Sequence, residues 1–245
     1  MNEKDFIGEL NKFTNKIVTG EHFSLVRFFD GEWYILSDQY IDITEKCNGE
    51  WRYDPTNEAD VMRRSALIDS LRYKDPTYYV GVMTDCACLH KKKHGGFQLM
   101  KDMAGQDDDH LTFASLFMNY NYYAIVLPRL IPTLYEKEKV LVINQKANAK
   151  GIPRTEKIIR VGTNAWIQDI DLAKEIAEYA ATVNGKYFLM AAGPLANIII
   201  HKCHQENKNN TYINIGSMLD PMMFDEPTRW YHHDQRLKNH ICQWV

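Results

Sequence analysis

Residues 25–36 read LVRFFDGEWYIL, and the reading of this stretch decides the fold. Leu25, Val26, Phe28 and Phe29 are of the kind that buries both faces of a parallel sheet. Arg27, Asp30 and Glu32 stand among them, and an uncompensated charge inside such a strand costs several kcal/mol. The stretch therefore predicts a strand over 23–29 that stops at Asp30-Gly31, with its charges delivered to something at the carboxyl end. Gly31 suits a sharp turn there, where a ligand comes close to the backbone.

Working outward, the flanking segments alternate between two periods. Phe6, Leu10, Phe13 and Ile17 recur at helical spacing over 3–18, and Val61, Ala66, Leu67 and Leu71 do so over 57–73. Between and beyond them lie apolar runs of strand length: TYYVGVM at 77–83, KVLVINQ at 139–145, KYFLMAAG at 186–193 and TYINIG at 211–216. Residues 112–135 read as mostly helical, divided by Pro128 and Pro132, and 169–182 as a helix with Asp at its start. Another helix opens at Pro194, and the polar stretch 101–110 reads as a loop. The alternation predicts an α/β protein, a Rossmann-like and mostly parallel sheet with helices on both faces, forming one domain over 1–245.

Bulk properties exclude several classes. A net charge of −3 argues against a nucleic-acid partner, and HKKKH at 90–94 is short enough to be a solvated loop. Five cysteines at scattered positions describe no disulfide framework, so the expected compartment is the cytoplasm. Cys86 and Cys88 with His90 and His94 lack the two-residue spacer and second ligand pair of a zinc site. With no run of about eighteen apolar residues, no integral membrane segment is expected. The oligomeric state is not set at this level.

Ligands of open α/β sheets bind outside the carboxyl ends of the strands. That rule selects Asp30-Gly31-Glu32, Thr84-Asp85-Cys86, Ala192-Gly193-Pro194, and Gly216-Ser217 with Asp220 beyond. Asp30 and Glu32, one residue apart, suit a hard divalent cation, Mg²⁺ or Mn²⁺, that keeps positions open for substrate phosphates. Arg27 offers a fork of donors to a phosphate, or pairs with a carboxylate in a simple surface hairpin. Gly193-Pro194 begins a helix whose amino end favours an anion, or is only a turn. Neither a GxGxxG nor a GxxxxGK[ST] pattern occurs. Gly216 and Ser217 bring donors, Asp220 orients a hydroxyl or acts as base, Arg229 neutralises a pyrophosphate, and Trp230, Tyr231 and His232 stack on sugars or bases. Asn119 and Asn121 place two amides close together on a helix.

RFFDGEW resembles the R-x-G-D-G-E motif of the bacterial glycosyltransferases of the GT-D fold. The resemblance runs from about residue 22 to about 233 through TYYVGV, TFASLFMNYNYY, AAGPLANIII, INIGSMLDP and TRWY. It implies a hexosyl- or pentosyltransferase that moves a sugar from a nucleotide-diphosphate donor, typically a UDP-sugar, to a glycan or glycoconjugate acceptor in surface-polysaccharide, glycan or glycoprotein assembly. It also implies a divalent metal held by Asp30 and Glu32, an AAGPLAN turn against the nucleotide, and an IGSMLDP loop closing over donor or acceptor. Three positions depart from the pattern: Phe29 replaces a Gly, Asn214 an Asp found in many members, and Ser217 a His. An inverting transfer needs a base, for which Asp85, Asp220 and His232 are candidates. Rival readings are a metal-dependent phosphohydrolase or nuclease, a catalytically silent nucleotide-sugar-binding protein and, more weakly, a methyltransferase.

Overall fold

The structure, a computed structural model, describes residues 5–44, 52–83, 96–118, 121–226 and 228–233. The opening helix α1 (Phe6–Thr19) starts where the Asp5 carboxylate accepts the Gly8 N–H, and ends at Gly20 in the left-handed conformation. Its face of Phe6, Leu10, Phe13 and Ile17 is buried, as the spacing predicts. Strand β1 (Ser24–Arg27) follows, then helix α2 (Asp30–Leu36), a small hairpin of β2 (Ile41–Asp42) and β3 (Arg52–Tyr53), and helix α3 (Glu58–Arg72). Strand β4 (Tyr78–Val82), helix α4 (Gly96–Ala104) and strand β5 (Leu111–Phe113) complete the first half.

A π-helical segment, Tyr122–Leu130, runs into α5 (Ile131–Tyr135), so the chain changes helix type next to Pro128 and Pro132. Strands β6 (Lys139–Asn144) and β7 (Thr155–Val161), helices α6 (Ala165–Gln168) and α7 (Leu172–Ala181), strand β8 (Tyr187–Met190), helix α8 (Leu195–Glu206), strand β9 (Thr211–Asn214) and helix α9 (Asp220–Met223) make the second half.

Seven strands form one sheet in the order β5-β4-β1-β9-β8-β6-β7, every pairing parallel. Helices α3, α7 and α8 pack together, α8 against β1, while α1, α5 and the π-helical segment pack with one another and α1 reaches β5. The α/β reading is thus confirmed, and the runs Leu25–Val26, Val140–Ile143 and Phe188–Met190 are fully buried. Burial on both faces explains why these strands read as unbroken apolar runs.

Several expectations need correction. Residues 112–135 are not helical from the start, because Leu111–Phe113 pairs with β4 as an edge strand; a buried run this short carries no helical period. The expected loop at 101–110 begins as the end of α4, which buries Met100 and Ala104. Strand β7 was not foreseen, since TEKIIRV at the sheet edge carries charges that an interior strand would exclude. In α3, Val61 is exposed. Leu67 and Leu71 of the same face are fully buried, and polar contacts supplement them, Arg63 donating to the Ile167 carbonyl and Arg64 to the last carbonyls of α2.

At the amino end of β1, buried Ser24 shares a 2.8 Å hydrogen bond with His204 Nδ1, and His204 Nε2 lies 3.2 Å from Asp75. Lys208 and the Thr77 amide and hydroxyl also donate to Asp75. Burial pushes the Asp75 carboxyl up, but Lys208 and Thr77 outweigh it and hold the group well below the usual carboxylate range.

Candidate functional site

The connection leaving β6 runs outward to β7, and the one leaving β8 runs back to β9, so a crevice opens beyond these strand ends. A cleft of about 350 Å³ occupies it. One wall is apolar, with Ala147, Val161, Ala165, Trp166, Met223 and Phe224. The rest is polar: Lys146 and Arg229 supply positive charge, and Gly193-Pro194 presents the amino end of the twelve-residue helix α8. Gly193 and Gly216 both have φ in the left-handed region, 55° and 50°. At Gly216 a Cβ would also lie 3.0 Å from Arg27 Nη1, so only glycine lets the cleft floor approach that guanidinium.

The segment after α9 is fastened to this floor. Asp220, the buried first residue of α9, accepts the Thr228 hydroxyl, and Ser217 Oγ lies 2.7 Å from the hydroxyl of buried Tyr231. His232 meets Tyr122 at a tilt and Tyr231 edge-on, with ring centroids 5.1 and 4.4 Å away. Burial, aided by Arg229, pushes its imidazole down to about 4, so it is neutral at neutral pH. Trp230 beside it is 49% exposed.

The corner at the end of β1 is built differently. Asp30 is not projected from a strand end but opens α2, exposed, with the Gly31 N–H on its carboxylate at 3.0 Å. Glu32, in the first turn, folds back so that its Oε2 accepts the Phe29 N–H at 2.9 Å. The signal for this helix start was present: two acidic residues in a first turn, with Glu three positions after the cap. Phe29 needs no glycine, since its backbone is extended at φ −114°. Burial pushes the Glu32 carboxyl up to about 7, opposed by the backbone amides and reinforced by Asp30.

Arg27 is buried as well. Its guanidinium donates to the carbonyls of Ala114 and Asn214 and to Met118 Sδ, lies 5.2 Å from the Phe117 ring, and has no carboxylate at ion-pair distance among the described residues. Burial pushes it down to about 10, while the fields of Tyr231 and Glu32 act the other way. Arg27 therefore stands between the carboxylate corner and the cleft floor.

The structure thus gathers Gly193, Pro194, Gly216, Ser217, Asp220 and Arg229 in one cleft, with Arg27 beneath. Asp30, Gly31 and Glu32 do not line it. Among the described residues no three His, Cys, Asp or Glu side chains converge as a metal cage. The donor set fits a hard cation that two carboxylates would share with a phosphate-bearing ligand, because Glu32 is a buried carboxyl that feels the field of Arg27 but has no cation at ion-pair distance among the described residues. Asp85, the Cys86–His94 cluster, the HKKKH run and Asn119 lie outside the described residues; Asn121 is buried at the start of the π-helical segment. Lys146 escaped the sequence reading, although the strand-end rule applied to KVLVINQ points to it. Asn197 entered the sequence reading only as the last residue of AAGPLAN, without a role of its own.

A family model described as the GT-D fold-like domain matches residues 8–222. No curated protein matches. Three solved structures are similar. One is a selenomethionine-substituted domain of unknown function 1792, at 14% identity and TM-score 0.57 over 96% of this chain and 89% of the other. A second, reported as that domain with a distinct glycosyltransferase fold, has 13% identity and TM-score 0.55 over 98% and 95%. The third is a glycosyltransferase of the same domain type from Streptococcus sanguinis, at 13% identity and TM-score 0.54 over 96% and 92%. Likeness at this identity concerns the fold.

Proposed function

This chain belongs to the family of GT-D fold-like domains, and from that premise we propose that it is a metal-dependent glycosyltransferase acting on a nucleotide-diphosphate sugar, with UDP as the nucleotide and a glycan or glycoconjugate as acceptor. The observation that carries the reading is the cleft: an apolar wall for a base, a helix amino end with Lys146 and Arg229 for a diphosphate, and a buried cation, Arg27, beneath a glycine floor. Negative charge develops on the departing nucleoside diphosphate, and preorganised positive groups stabilise it without reorganising. Arg27 and Arg229 supply that field from two sides. Asp30 and Glu32 would hold Mn²⁺ or Mg²⁺, which when bound neutralises pyrophosphate charge. Asp220, already oriented by Thr228, and the neutral His232 remain the described candidates for taking the acceptor proton.

Titration calorimetry with UDP, with and without Mn²⁺, tests this. Binding should require the metal and be lost in Asp30→Ala and Glu32→Ala with circular dichroism unchanged. One observation favours a second reading, a nucleotide-binding protein without turnover: the two carboxylates lie outside the cleft lining. UDP binding indifferent to Mn²⁺ and to both substitutions would establish that alternative.

A further inference from the structure

Strand β1 stays paired with β4 through Arg27–Gly81, and the Phe28 N–H still donates to Gly81. On the other side β9 stays paired with β8 through Met190–Asn214, with the Ile215 N–H on Met190. Between β1 and β9 the pairing stops early, at Leu25–Ile213. The sheet therefore splits at its middle, at the carboxyl ends, where its two halves meet.

The gap is filled by one side chain from α8. Asn197, fully buried, accepts the Arg27 N–H on Oδ1 at 3.0 Å and donates from Nδ2 to the Arg27 carbonyl at 2.8 Å. These are the two bonds a neighbouring strand would have made. Because an N–H can only donate and a carbonyl only accept, the amide orientation is determined. Asn214 must then donate its Nδ2 to Asn197 Oδ1, at 2.8 Å, which leaves Asn214 Oδ1 to accept the Gly216 N–H at 3.1 Å. A continuous chain of bonds runs from Arg27 through Asn197 and Asn214 to Gly216.

We propose that Asn197 is a positioning residue: it wedges β1 from β9, opening the space into which the Arg27 guanidinium turns, and through Asn214 sets the Gly216 turn against that guanidinium. It touches no ligand itself. Its role is to hold a buried cation and a glycine floor in register beneath the diphosphate end of the cleft, and so it rests on the donor reading above. Asp cannot replace it, having no donor for the Arg27 carbonyl, and Leu fills the volume while leaving both main-chain groups unpaired.

Two readouts test the wedge. Amide hydrogen exchange of the ¹⁵N-labelled protein needs no ligand. In Asn197→Leu the Arg27 and Gly216 amides should exchange at least tenfold faster, while Leu189 in β8 keeps its protection. Calorimetry with UDP and with uridine, in Mn²⁺, then separates positioning from mere stability. UDP should bind at least tenfold more weakly and uridine within twofold of the parent, since only the diphosphate meets Arg27 and Gly216. Unchanged protection at both amides overturns the wedge. Lost protection with unaltered UDP affinity makes the amide structural only and overturns the positioning role. A parent that binds neither ligand overturns the donor reading and the positioning role with it, and the exchange data still show whether the wedge exists. If Asn197→Leu does not fold, Asn214→Ala releases Gly216 while leaving Arg27 held. It should show the same split at several-fold size, and equal loss for UDP and uridine would overturn the proposal.

Discussion

The two ends of strand β1 treat buried charge in opposite ways. At Ser24 the charges form a closed set in which His204, Lys208 and Thr77 surround Asp75, and its carboxyl is held down. Three residues later Arg27 is buried with no carboxylate at ion-pair distance among the described residues, and neighbouring Glu32 is pushed up to about 7. Compensated charge is what a stable fold tolerates, and uncompensated charge persists where something else is to complete it. Under the proposed function, the amino end serves stability and the carboxyl end binding.

The largest expected effect is at the compensated end. Asp75→Asn strips Lys208 and His204 of their shared partner and should destabilise the fold by about 2–3 kcal/mol, less than for a fully enclosed pair because water screens Lys208. The folded carboxyl titrates below its unfolded value, so this contribution is present above about pH 4 and disappears as pH falls through the folded value. Denaturant melts at pH 7 read it. A loss under about 0.5 kcal/mol would erase the contrast.

Next comes Glu32→Gln, which keeps an acceptor for the Phe29 N–H. The folded carboxyl titrates near 7 against 4.5 unfolded, so folding favours its protonated form and the parent loses stability as pH rises through that window. The variant should be more stable in metal-free buffer by about 1–2 kcal/mol at pH 8, with no advantage at pH 4.5. Thermal melts at the two pH values decide, and an advantage at both would point to packing rather than charge.

Arg27→Met should dissociate the two properties. Removing a buried cation that has no ion pair relieves its desolvation cost, while the Ala114 and Asn214 carbonyls lose a donor, so the two effects oppose and stability should change by less than about 1 kcal/mol. UDP affinity should nevertheless fall about tenfold, roughly 1.4 kcal/mol. A variant that melts well below the parent and binds UDP normally would reverse the assignment of the carboxyl end. The smallest effect is expected at Val61, exposed on α3: Val61→Ala should change stability by less than about 0.5 kcal/mol, against the apolar face read from the helical spacing.

Much of the fold is legible in the sequence because burial on both faces leaves unbroken apolar runs, as in Val140–Ile143 and Phe188–Met190, and amphipathic spacing leaves Phe6, Leu10, Phe13 and Ile17 on one face of α1. β7 and β5 were harder to read, one because an edge strand tolerates charge and the other because three residues carry no period. Of the cleft lining, the strand-end rule pointed to Gly193, Gly216, Ser217 and Asp220, since those positions follow from where strands stop. It misread the direction of Glu32, because a carboxylate at the third helical position finds its nearest donor in its own cap.

By itself the sequence determined the α/β alternation and the positions of the strand ends, for both depend on local period and turn chemistry. Only the tertiary structure decided that Arg27 is buried with no carboxylate at ion-pair distance among the described residues, that Asp30 and Glu32 do not line the cleft, and that Asn197 from α8 takes the place of a strand between β1 and β9. Arg27 and Asn197 lie 170 residues apart along the chain. Their partnership exists only when the sheet is assembled, and no local pattern records it.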